Sequence, residues 1–348
     1  QLREATPETI IAAMYDLNDI SPAERQLLSV FAVLPAENIP FGILGDLLAN
    51  LDDLENNLLA LADIGWLEFD EAYSTFKVSP VVQEIVMQKN EDLLGDTKVL
   101  FDRLNELLLF DANTGNLENI SFKAAILLVY YAENIINSIP AKDDNISMLC
   151  ERVGKYFETT GDLMNALTYF EHSAELDAIS LESDPSNPTF KNYLAISLSR
   201  LGSTHSYLGN LEKALEYFEK YTRLEKELYD RYPENVSFKN GLAISYEKLG
   251  STHSSLGNLE KALEYFEEYA RLKKELYDRY PENVSFKNGL AISYYKLAHI
   301  HKDLNIKDKY KTYLQQAEQL FVELVELAPQ YAAFQHGLNV VRANLEEI

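Results

Sequence analysis

The chain has 348 residues, 47% hydrophobic and 25% charged, which suits about two packed domains and excludes disorder over most of its length. Asp and Glu outnumber Lys and Arg by 55 to 31, and the formal charge of -24 repels phosphate backbones and anionic headgroups, so no nucleic acid and no membrane is expected as a partner. The single cysteine, Cys150, excludes a disulfide framework and a cysteine-rich metal site, and the longest apolar run, Ala124 to Ala132, is about half a bilayer span. A reducing cytoplasm is the expected location. Position 1 is Gln rather than Met, so a piece of a longer polypeptide is expected.

Residues 1–20 read as a linker or the end of a preceding domain. Ala23 to Leu34, Phe41 to Leu48 and Leu54 to Ile64 then predict three helices. Gly65 opens two short alternating runs, Trp66 to Asp70 and Thr75 to Val78, with a turn at Glu71 to Ser74 between them, the pattern of a β-hairpin. Three helices and a hairpin predict a winged helix over residues 21–92. That segment holds three basic residues, Arg25, Lys77 and Lys89, against thirteen acidic ones, which leaves nothing to neutralise the phosphates of DNA. Thr97 to Phe110 and Ser121 to Ser138 predict two amphipathic helices around a turn at Asn113 to Asn116, a connector over residues 93–143. The polar stretch Ala141 to Asn145 marks its end.

Residues 144–348 repeat. Asn192 to Lys239 and Asn240 to Lys287 are both 48 residues long and differ at eight places, with two diverged copies flanking them in register. Pro185, Pro233, Pro281 and Pro329 lie 48 apart, as do Phe190, Phe238, Phe286 and Phe334. Within one copy, Phe238, Leu242, Tyr246 and Leu249 mark one helix, Gly257-Asn258 breaks it, and Asn258 is the expected N-cap of a second helix running to Leu276. Such a helix pair buries its apolar stripe only by stacking on its neighbours. The pattern Tyr246, Leu249, Gly250, His253, Ala262, Phe266 and Pro281 resembles the tetratricopeptide repeat. Gly202 with Phe218 and Gly154 with Phe170 repeat it in the earlier copies, whereas the last copy has Ala298 for Gly, Tyr310 for Ala and Leu314 for Phe, as an end repeat would. The period exceeds the usual one of about 34 by about two turns per helix, so a deep groove is expected.

The resemblance implies an all-α chain: a right-handed tetratricopeptide-repeat solenoid of about four long helix pairs and a C-terminal capping helix, preceded by a small winged-helix domain with a β-hairpin. Such arrays line their concave face with the first helix of each pair. The positions facing it here are Ser199, Ser203 and Tyr207, then Glu247, Ser251 and Ser255, then Tyr295, His299 and Asp303. Five of the eight differences between the near-identical copies fall in the first helix, and drift after a duplication explains them about as well as selection for a ligand does. The groove lacks the Lys and Asn set with which some relatives clamp a terminal carboxylate; acidic and lined with Ser and Tyr, it is expected to take a basic or polar protein surface.

No catalytic residues are expected. Gly154-Lys155 is followed by Tyr156 and preceded by Leu149 where a Walker A loop needs Ser or Thr and Gly. Cys150 fills a packing slot. His205, His253 and His301 recur at one repeat position, but that slot is Phe157 in the first copy, and rings about 10 Å apart on neighbouring helices cannot share one ion, so no metal site is expected.

The stretches "LSVFAVLPAENIPFGIL" and "LADIGWLEFDEAYSTFKVSPVVQEIV", followed by the repeats, resemble the winged-helix and repeat arm of bacterial STAND ATPases with an NB-ARC core. The resemblance implies a sensing module that binds a protein trigger, phage-derived in a defence role, and controls an effector. ATP or ADP with magnesium would sit in an upstream nucleotide-binding domain and no cofactor in this chain, and the full-length protein would homo-oligomerise on activation. In that family a His after the hairpin senses the nucleotide phosphates; the matching residue here is Ser79, which carries no charge. The alternative is a free-standing tetratricopeptide scaffold without switching.

Overall fold

The computed structural model describes residues 16–111, 116–139 and 144–348. Most of the linker expected over 1–20, and parts of the expected turn at Asn113 to Asn116 and boundary at Ala141 to Asn145, lie outside them. The chain divides into two compact units between Leu176 and Asp177.

In the first unit α1 (Pro22–Val33) starts on a capping box in which Ser21 and Glu24 bond each other's backbone N–H. Next come β1 (Ile39–Pro40), α2 (Phe41–Leu47), α3 (Leu54–Asp63), β2 (Glu68–Asp70) and β3 (Thr75–Lys77). The hairpin is where its alternation placed it; the two-residue β1, which pairs antiparallel with β3 to give the order β1-β3-β2, left no periodic signal. Leu28, Phe31, Leu44, Leu58 and Phe76 are buried together in the core of this unit. Then α4 (Pro80–Lys89) packs on α1, and Gln83 Nε2 donates to the carbonyls of Phe31 and Leu34, orphans of the α1 C-terminus. Asp92 caps α5 (Leu93–Leu107) through Gly95 N–H, so this helix begins four residues before the expected Thr97. Asn90 and Ser29 both donate to Asp96 and tie α5 to α1. α6 (Phe122–Ser138) and α7 (Asp144–Thr160) follow.

α8 (Leu163–Ser183) pairs with α7, and the Phe170 ring lies against Gly154, where an added Cβ would come 2.7 Å from the ring. The second unit repeats this contact. α9 (Pro188–Tyr207) pairs with α10 (Leu211–Arg231), α11 (Val236–Ser255) with α12 (Leu259–Arg279), and α13 (Val284–Asp303) with α14 (Lys307–Leu327), ahead of a last helix, α15 (Ala332–Glu346). These paired helices are 20 or 21 residues long, about 30 Å, as the long period requires. Gly202 meets Phe218 and Gly250 meets Phe266 as Gly154 meets Phe170. In the last pair the departures compensate: Ala298 brings a methyl group, and buried Leu314 replaces the ring.

Three further columns hold each pair. Asn187, Asn235 and Asn283 cap the first helices. Asn258 does not fill the role expected of it: at φ -85 and ψ 66 its side chain turns to His253 Nδ1, 3.4 Å away, and leaves α12 uncapped. The turn between helices needs a left-handed residue, met by Gly161, Gly209 and Gly257 and, in the last pair, by Asn305 at φ 60. Lys191, Lys239 and Lys287 bridge to Glu227, Glu275 and Glu323 on the partner helix, at 2.6 to 3.0 Å.

Between repeats the second helix of one pair points Glu225, Lys273 or Phe321 at Gly241, Gly289 or Gly337 on the next helix. Glu225 is 3% exposed, and its Oε2 has no hydrogen-bond partner among the described residues. Burial pushes its carboxyl up to about 7. Lys273 donates to Asn240 Oδ1 at 2.6 Å, and burial lowers its ammonium to about 8 against the pull of Glu247.

Two outcomes follow. Gly250→Ala should destabilise the fold by about 1–3 kcal/mol through overpacking, and Phe266→Leu should recover part of that loss, as Ala298 and Leu314 coexist; a urea double-mutant cycle measures the coupling, and strict additivity would refute it. The neutral Glu225 carboxyl adds stability that is full below pH 4.5 and is lost as the pH climbs through about 7. Glu225→Gln should therefore match the parent near the lower pH and exceed it by up to about 3 kcal/mol in alkali, and an equal difference at both would contradict the buried-carboxyl account.

Candidate functional site

A helix shows a ligand what its packing leaves uncovered. Along α9, α11 and α13 the buried stripe faces the second helices, and the residues expected to line the groove lie on the other side, exposed or half-buried. Tyr207 is 67% exposed. The structure joins several of the others. Ser251 donates to Glu247 Oε1 at 2.9 Å, and Lys296 on α13 reaches across to the same carboxylate at 2.9 Å and to Ser251 Oγ at 2.9 Å. This cross-repeat bond makes neighbours of the first helices. The Tyr295 and His299 rings lie 4.4 Å apart, and Ser255 donates to the Ser251 carbonyl. Ser199 hydrogen-bonds the Tyr221 hydroxyl, which itself donates to the Gly241 carbonyl across the repeat boundary at 3.2 Å.

Burial alone would raise the Glu247 carboxyl, but the Lys296 and Lys248 ammonium groups and the bonds from Lys296 and Ser251 outweigh it and hold it below the usual range. Glu247 is charged, but its charge is matched. The carboxylate is paired with Lys296, which sequence reading had passed over. The pair is 49 positions apart, one repeat plus one residue, and that offset is the signal that could have found it.

Two more columns went unread. Asn192, Asn240 and Asn288 lie one turn before Ile196, Ile244 and Ile292, all on the face of Ser199, Glu247 and Tyr295. Ile196 and Ile244 are open to solvent, although isoleucine at helical spacing reads as core.

The histidine column behaves as a packing column. His205 and His253 stack on Tyr217 and Tyr265 at 5.4 and 5.5 Å, and the ring nitrogen Nδ1 of buried His301 bonds to the Leu297 carbonyl at 2.8 Å. Among the described residues no group of three or more His, Cys, Asp or Glu is placed to hold a metal ion, and no helix is long and apolar enough to cross a membrane. Ser79 is the N-cap of α4, its Oγ accepting from Val82 N–H at 3.3 Å.

Residues 194–275 match the tetratricopeptide repeat family. No curated protein matches the chain. Solved structures that align with the chain include BtubC (BKLC) from P. vanneervenii, at 15% identity and TM-score 0.47 over 67% of this chain and 81% of that one. Aspartyl phosphate phosphatase F from Bacillus subtilis aligns at 12% identity and TM-score 0.49 over 93% and 85%. MamA from Desulfovibrio magneticus RS-1, from its residue 41 to the end, aligns at 18% identity and TM-score 0.34 over 59% and 86%. Residues 194–275 are thus a tetratricopeptide-repeat region.

Proposed function

We propose that the chain is a protein-recognition module whose repeat groove binds a partner protein, and that it serves as the sensing, regulatory arm of a bacterial STAND ATPase. The observation that carries the first part is the solvent-facing side of α9, α11 and α13, where Tyr207, Ile196 and Ile244 stand open beside a neutralised Glu247–Lys296 pair. Exposed apolar and aromatic side chains on a rigid scaffold are the usual anchors of a protein interface. The second part rests on the order of segments, three helices and a hairpin ahead of the repeats, and on the STAND-like stretches within it. In this reading the trigger is a protein, of phage origin in a defence role. The first unit passes its binding to an upstream nucleotide-binding domain that holds ATP or ADP with magnesium, and activation assembles the full-length protein. Residues 1–176 carry 30 acidic against 10 basic side chains, which supports a protein rather than a nucleic acid as the contact of the first unit.

One observation favours the second reading, a constitutive scaffold. The Ser79 hydroxyl, at the position matching the family's phosphate-sensing His, is uncharged and spent on capping α4.

Affinity capture from phage-infected and uninfected bacterial lysates tests both, with Tyr207→Ala plus Tyr295→Ala as the control. A sensor should retain a protein only after infection and lose it with the double variant at unchanged helicity. The same host proteins in both lysates would establish the scaffold, and capture indifferent to the double variant would remove the groove assignment.

A further inference from the structure

We propose that the last repeat junction binds a small, uncharged, two-ring aromatic molecule that carries one hydrogen-bonding group. A cavity of about 340 Å3 lies between α13, α14 and α15, and the buried Phe321 ring, Tyr295 and Val340 are among its walls. A cavity of about 150 Å3 admits benzene, and small-molecule sites start at about 300 Å3, so this one has room for two fused rings. The site needs no partner protein in the groove.

The repeat supplies its own comparison. One repeat earlier, the places of Tyr295, Phe321 and Val341 are held by Glu247, Lys273 and Ser293, and there Lys273 lies against Gly289 and donates to Asn240. At the last junction all three are aromatic or apolar at once, so a position that is ionic elsewhere becomes an apolar wall. A terminal cap needs polar residues on its outer face. That need does not call for three apolar replacements around one inner cavity.

The same exchange sets the class of ligand. Asn288 stands where Asn240 does, 48 residues on, but the residue in the place of its lysine donor is Phe321. Asn288 lines the cavity, and its side chain has no hydrogen-bond partner among the described residues, as is true of the Tyr295 hydroxyl and the His336 ring beside it. An amide set among apolar walls favours a ligand that brings one N–H or O–H and covers the rest with hydrocarbon. No Asp, Glu, Lys or Arg lines the cavity, so a charged ligand would lose its water there without gaining a counter-charge. The nearest cations along α13 and α15, Lys287, Lys296 and Arg342, are each paired already, with Glu323, Glu247 and Glu318. Flat aromatic carbon suits walls that include the Phe321 and Tyr295 rings.

Isothermal titration and saturation-transfer NMR on the full chain test this with indole, 1-methylindole and indole-3-carboxylate. Indole should bind with a Kd below about 1 mM, 1-methylindole about fivefold more weakly for want of the N–H, and the carboxylate at least about tenfold more weakly. Ala333→Trp, which sets a ring at the exposed rim of the cavity, should abolish indole binding, whereas Ser237→Trp, at the matching exposed position two repeats earlier, should leave it unchanged. Asn288→Ala should bring indole and 1-methylindole to equal affinity, a loss of selectivity that a merely structural role would not produce. It replaces Ala333→Trp if that variant fails to fold by circular dichroism. No saturable indole binding at millimolar concentration, equal binding of indole and either analogue, affinity unchanged in folded Ala333→Trp, or selectivity kept in Asn288→Ala would overturn the site.

Discussion

The structure turns on a methyl group that is missing. At Gly154, Gly202 and Gly250 the first helix of a pair comes so close to the second that the Phe ring opposite occupies the space of a Cβ. That approach fixes the height and rotation of one helix on the other, and hence which residues of the first helix face outward. In a helix a rotation of 100° per residue separates core from surface, so an error of one side-chain diameter here would bury Ile244 or turn Glu247 away from Lys296. The last pair shows that the constraint is one of volume rather than of residue type: Ala298 restores the methyl, and Leu314 gives back the room that a ring would have filled. The positive-φ turn obeys a similar rule, since asparagine is the residue that replaces glycine there at Asn305.

Stacking uses a second set of glycines with different chemistry at each level. Gly241 receives a buried carboxyl, Gly289 the stem of a lysine and Gly337 a ring. Two copies that share all but eight of 48 residues could exchange places at little cost if their interfaces were alike. The change from Glu225 to Lys273 makes them unlike at their most buried polar position, and a buried ionisable group is best attested as a device for fixing register. Tyr221 and Tyr269 reinforce it by donating to the carbonyls of Gly241 and Gly289, bonds that form only when the next helix is in place.

What the sequence makes legible is what is local or periodic. The spans read as Ala23 to Leu34, Phe41 to Leu48 and Leu54 to Ile64 came out within a residue at each end, because helical periodicity is a local signal. The β-hairpin declared itself by alternation. Hidden were features that need a third dimension: the Lys296 bridge to a helix one repeat away, the two-residue β1 that exists only as a partner of β3, and the reach of Asp92 that starts α5 early. The isoleucine column was hidden for the opposite reason. Its spacing reads as a core stripe, and only the solvent exposure of Ile196 and Ile244 tells otherwise.

The charge of the chain is unevenly shared, and this separates two kinds of recognition. Residues 1–176 have 30 acidic and 10 basic side chains, whereas residues 177–348 have 25 and 21. A field as lopsided as the first speeds encounter with a basic surface and falls off with salt. The repeats have little net field to offer, and on their groove the Glu247 carboxylate is paired. With little net charge, such a surface offers shape rather than steering, and contacts of that kind act on how long a ligand stays rather than on how fast it arrives.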